Sequence, residues 1–154
     1  VSSDPYDAPE KRLVFTLIVR GLREAHRRAV QLTQHFRDTE FMCECGCTAP
    51  DAIRLRWFEV AAALEKARVI VGRPITIISG YRCKKRNAAV GGAPESEHIE
   101  GTAVDIAVQG WPGERLRGVF ETLIALDEIP DGGLGTYVDR PATLHYDLGK
   151  VRRW

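Results

Sequence analysis

A chain of 154 residues, 44% of them hydrophobic, has enough apolar side chains for one continuous core and too few residues for two full domains. Its 22 lysines and arginines nearly cancel its 21 aspartates and glutamates, which leaves no electrostatic footprint for nucleic acid. No run of about 18 apolar residues occurs, so no membrane-spanning helix is expected.

Residues 1–10, with Pro5 and Pro9 among small polar residues, read as a loose leader, and residues 11–154 as a single domain. The apolar run Leu13–Val19 stops at Arg20 with no small-residue cleavage site, which makes it a poor signal peptide. Val14, Ile18, Leu22, Ala25, Ala29, Leu32 and Phe36 keep the three- and four-residue spacing of one helix face, so a long helix is expected up to Phe36. A cysteine cluster, Cys43, Cys45 and Cys47, follows in a loop, with Cys83 far downstream. Four cysteines permit two disulfides, one structural zinc or free thiols, and the sequence does not choose. Pro50 and Asp51 open a second helix whose buried stripe is Ile53, Trp57, Val60, Leu64 and Ala67.

Ile75–Ser79 is a short β-rich run that Gly80 ends. Residues 84–97, with Gly91, Gly92 and Pro94, read as a loop, and Lys84-Lys85-Arg86, like Arg152-Arg153 later, as solvated surface. From Thr102 to Val108 the residues alternate, which puts Asp105 on the strand face of the small Ala103 and Ala107. A third helix is expected over Glu114–Asp127, with Leu116, Val119, Phe120, Leu123 and Ile124 buried, before Pro130 and Gly132-Gly133 stop it. Leu144–Leu148 alternates again, with His145 and Asp147 sharing a face. About three helices around a small, mostly antiparallel sheet make an α+β domain.

Two histidines and a carboxylate suit Zn²⁺, and His98, Asp105 and His145 supply that set while leaving a fourth position for water. The interval of seven between His98 and Asp105 does not fit one helix face, so a turn at Gly101 has to bring them together. Asp105 between two alanines is costly to bury without a partner, and a metal is a good one.

The segments Ser79-Gly80-Tyr81-Arg82, Asn87 to Gly92, and Ser96-Glu97-His98 through Asp105-Ile106 resemble the zinc D-alanyl-D-alanine carboxypeptidase family. That family takes in cell-wall dipeptidases, the L-alanyl-D-glutamate endopeptidases of phage lysins and the related hedgehog domain. The chain is most similar to its short carboxypeptidase-like branch, from about Phe36 to Asp147. The resemblance implies hydrolysis of a peptide bond in bacterial peptidoglycan, hence action at the cell wall, with zinc held by His98, Asp105 and His145. It implies that Arg82 binds the scissile carbonyl oxygen and that Ser96 hydrogen-bonds the peptide. Read without it, Arg82 is a surface salt bridge and Ser96 a turn residue.

One position departs from the family pattern. Many members carry an acidic general base three residues before the last histidine, where this chain has Ala142. Asp147 is then the expected base and Asp139 the second choice, although Asp147 would equally serve to orient a ligand histidine. The gap also leaves room for a non-catalytic, zinc-stabilised cell-wall-binding module. Sequence alone assigns neither the bond cleaved nor the oligomeric state.

Overall fold

The computed structural model describes residues 29–154. The greater part of the first expected helix lies outside them, and its described end is not helical. Gln31 instead bridges to Arg37, and Leu32 and Thr33 both donate to the Phe36 carbonyl. The turn is held by Asp38, whose backbone N–H bonds to Val30 O and whose carboxylate accepts from Val30 N at 2.8 Å. Phe36 is fully buried all the same, so a compact turn meets the apolar spacing as well as a helix would.

Helix α1 (Asp51–Val71) buries Trp57, Val60, Ala61, Leu64 and Ala67, and stops at Gly72, whose φ of +65° few other residues adopt. Strand β1 (Ile75–Ser79) follows. The stretch expected as a loop then carries two short helices, α2 (Lys84–Ala89) and α3 (Glu97–Glu100). Each starts on a side-chain cap: Cys83 Sγ accepts from Arg86 N and Ser96 Oγ from His98 N. At six and four residues they are too short to print a periodicity. Strand β2 (Ala103–Val108) and helix α4 (Gly113–Ala125) fall within two residues of their expected bounds. They are followed by β3 (Gly133–Thr136), β4 (Leu144–Asp147) and β5 (Arg152–Arg153).

The five strands form one sheet in the order β1-β2-β4-β3-β5, antiparallel except for the last pair. Val104, Ile106, Leu134, Leu144 and Tyr146 are fully buried, and α1 packs on α4, which in turn packs on β2, β3 and β4. The Phe120 and Tyr146 rings meet at 5.0 Å between centroids. A second aromatic knot, Phe41 with Trp57 at 5.9 Å and Trp57 with Tyr81 at 6.5 Å, anchors the end of β1. Gly80 belongs to this knot, because a Cβ there would lie 2.7 Å from the Phe41 backbone. Among the described residues, no helix is long and apolar enough to cross a membrane.

Candidate active site

The sheet register assembles the site in a line. Ser79 faces Asp105 across β1 and β2, Asp105 faces His145 across β2 and β4, and His145 faces Gly135 across β4 and β3. His98 joins them from α3, and the turn that carries it there is Gly101, the α3 C-cap, at φ +72°. One donor atom each from His98, Asp105 and His145 lies within 4.8 Å of the other two, and all three residues are buried.

Each imidazole presents one nitrogen to this point and commits the other elsewhere. His98 Nδ1 lies 2.7 Å from the carbonyl oxygen of Gly80, to which it donates, so Nε2 carries the free lone pair. That Nε2 is buried, 3.5 Å from Asp105 Oδ1, and has no hydrogen-bond partner among the described residues. His145 Nδ1 lies 2.9 Å from the same Asp105 oxygen, while Nε2 lies 2.8 Å from Asp147 Oδ2. An orphaned lone pair in a dry site is costly, and a cation among two imidazoles and a carboxylate removes that cost. A tetrahedral zinc with ligands about 2.1 Å away sets neighbouring donors about 3.4 Å apart, close to the spacings seen here. The donor set therefore fits the metal that the sequence pattern implies.

The charges are mutually supporting. Burial pushes the Asp105 carboxyl up, but the hydrogen bond from His145 and the contact with His98 outweigh it and hold the group well below the usual carboxylate range. Burial lowers His145 in turn, and the carboxylates of Asp105 and Asp147 more than restore it, leaving it raised.

Asp147 is fully buried and its two oxygens take four donors. Oδ1 accepts from Gly133 N at 3.0 Å and Gly149 N at 2.8 Å; Oδ2 accepts from His145 Nε2 and from Arg152 Nη2 at 2.6 Å. These surroundings match a residue that orients His145, the alternative to the base role expected of it. They also add to the reading of Arg152-Arg153 as solvated surface: Arg152 is exposed, but both arginines are paired. Arg152 pairs with a buried carboxylate, and Arg153 pairs with Glu121 and Asp131.

Arg82 follows the end of β1, where its N–H donates to His98 O at 3.0 Å. Its Nε is buried with no partner among the described residues, and the side chain lines a cleft of about 330 Å³ with Ser79, Asp105, Asp139 and Arg140. Asp139 is 83% exposed in its side chain and, among the described residues, reaches only Arg140, at 4.0 Å. Ser96 caps α3 and so supports the turn that presents His98.

The sequence reading missed three neighbours. Tyr137 O–H donates to Asp105 Oδ1 at 2.8 Å and sits 3.3 Å from His145 Nδ1. Arg140 stacks on the Tyr137 ring at 3.9 Å and brings Nη1 to 3.7 Å from Asp105 Oδ2. Trp154 lies 5.2 Å from the His145 ring, in space that Gly135 leaves open because a Cβ there would collide with the indole. No periodicity marks a loop tyrosine or a distant tryptophan. The usable signal was the glycine pair Gly133 and Gly135, which marks a strand approached closely by something else.

Comparison with known proteins points the same way. Over 85 residues the chain is 34% identical to a probable peptidoglycan L,D-endopeptidase MepK of Haemophilus influenzae. The match takes in 52% of this chain and 42% of that protein, so the chain spans less than half the length of its relative. Residues 34–138 match the peptidase M15 family; His98 and Asp105 fall inside that stretch and His145 beyond it. With well over half of its length matched, the chain belongs to the peptidase M15 family.

Proposed function

We propose that this chain is a zinc-dependent hydrolase of peptide bonds in bacterial peptidoglycan stem peptides, cleaving at an internal bond. The observation that carries the reading is the unpartnered, buried Nε2 of His98, which points at Asp105 and His145 beside an open cleft lined by Arg82. When bound, zinc would supply a Lewis acid and a water of lowered pKa at that point. Family membership supports peptide hydrolysis, and the name of the Haemophilus relative supports both the peptidoglycan substrate and the endopeptidase choice over a carboxypeptidase.

The chain's own groups then divide the work. His98, Asp105 and His145 hold the metal, and Asp147 fixes the tautomer and the ring plane of His145. Arg82, permanently charged, offers an Nε with no partner among the described residues, and so is placed to receive the oxygen that turns anionic in the transition state. Asp139, exposed on the cleft wall, is the carboxylate free to take a proton, and Ser96 remains the proposed contact to the peptide backbone. Retention of Arg82 at the cleft argues against a purely structural module, which has no use for it.

Digestion of purified peptidoglycan with the zinc-loaded and the chelated protein, with the fragments identified by mass spectrometry, tests this reading. Soluble peptides should be released only with zinc, with new termini inside the stem. Undigested peptidoglycan at full zinc occupancy would refute it.

A further inference from the structure

The four cysteines take no part in the site above, yet they converge. Cys43, Cys45 and Cys47 lie between Phe41 and α1, while Cys83 directly follows Arg82. The four sulfurs all lie within 4.8 Å of one another, with Cys45 Sγ 3.3 Å from Cys43 Sγ and 3.6 Å from Cys83 Sγ. None is in a disulfide.

We propose that Cys43, Cys45, Cys47 and Cys83 form a second metal site in this protein, a closed four-thiolate zinc centre that is structural. The spacing is the first ground. Sulfurs about 2.3 Å from a tetrahedral zinc stand about 3.8 Å apart; Cys45 and Cys83 are 3.6 Å apart, and every pair lies within 4.8 Å. A disulfide would single out one partner for Cys45, whereas its sulfur has two near neighbours at almost equal distance.

The backbone is the second ground. Gly46, at φ +77°, donates its N–H to Cys43 O at 2.9 Å and closes a tight turn that folds Cys45 and Cys47 back toward Cys43. Cys83 N–H points at Cys43 Sγ and Arg86 N–H at Cys83 Sγ, both at 3.4 Å, so the backbone already aims donors at two of the four sulfurs. Four thiolates around Zn²⁺ leave two negative charges, and Lys84, Lys85 and Arg86 follow Cys83 directly. Cys43 is buried while Cys45 is exposed, so the site has a packed floor and an open approach for the ion.

The ligand number separates the two centres. Three protein donors leave a position open for chemistry; four close the shell. Closure here clamps the Cys43–Cys47 turn to the segment running out of β1, already tied to it by Tyr81 N–H to Phe41 O at 2.8 Å. Arg82 sits between that bond and Cys83.

Metal analysis of the purified, reduced protein should find two zinc ions per chain, falling to one in His98→Ala and to one in Cys45→Ser/Cys83→Ser. Should the cysteine variant fail to fold, cobalt exchanged into the wild-type protein decides the matter. A thiolate-to-cobalt charge-transfer band with intense tetrahedral visible bands is the expected spectrum, and it depends on neither His98 nor peptidase activity. No such band, four thiols that react freely with a thiol reagent in the zinc-loaded protein, or an intact mass showing a disulfide would each overturn the proposal.

Discussion

Arg82 and Asp147 show how much a side chain's partners reveal about its work. Arg82 is tied to the site by its backbone, through His98 O, while its Nε keeps a hydrogen unspent. Arg82→Ala should therefore lower turnover by roughly 10²-fold or more while zinc content stays at the wild-type level, measured by steady-state hydrolysis beside metal analysis. Asp147 is the opposite case, with every lone pair facing a donor. Asp147→Asn should weaken zinc binding by about 10- to 100-fold in a chelator competition, because one oxygen becomes an NH₂ that must face donors, either the N–H groups of Gly133 and Gly149 or those of His145 and Arg152. Asp139→Asn should keep the metal and lose turnover. If the exchange leaves zinc affinity unchanged in Asp147→Asn but abolishes hydrolysis, the base assignment returns to Asp147.

At the scale of elements, what the sequence disclosed depended on how each piece is held. Helix α1 was legible because it buries one periodic face, and β2 and β4, buried on both faces, because apolar side chains alternate with small or polar ones along them. His98, Asp105 and His145 stood out as a donor set and through the family resemblance, and Gly101 supplies the expected turn between the first two. β3 escaped because Gly133 and Gly135 are poor strand formers in isolation. Their reason is tertiary: a Cβ on Gly133 would lie within the Asp147 carboxylate, and one on Gly135 within the Trp154 ring. The tail escaped because β5 has two residues and pairs only with β3. Gly133→Ala should accordingly cost about 1–3 kcal/mol in denaturant unfolding and lower zinc occupancy as well, since Asp147 must move to admit the methyl. A variant with reduced stability and unaltered metal affinity would separate the strand from the site.

Across the whole molecule, the candidate site residues come from β1's end, α3, β2, β4 and the loop after β3, so the proposed metal would join segments far apart in sequence. A ligand held only by the folded chain stabilises it in proportion to its free concentration, by about 4 kcal/mol at a thousandfold excess over Kd. Stripping zinc with a chelator should lower the melting temperature by several degrees, measured calorimetrically, and His98→Ala should show a smaller chelator-induced shift than wild type.

The parallel pairing of β5 with β3 has a consequence for how firmly the proposed centre is held. Arg152 reaches Asp147, and Trp154 fills the space beside His145, only when the sheet has accepted this segment at its edge. With β5 undocked, β2, β4 and α3 would still carry His98, Asp105 and His145, but the groups that brace His145 from behind would be gone. Fraying of one two-residue strand would then loosen an imidazole in the middle of the sheet. The tightness of the proposed centre is in this sense governed by an edge strand that would touch no metal itself.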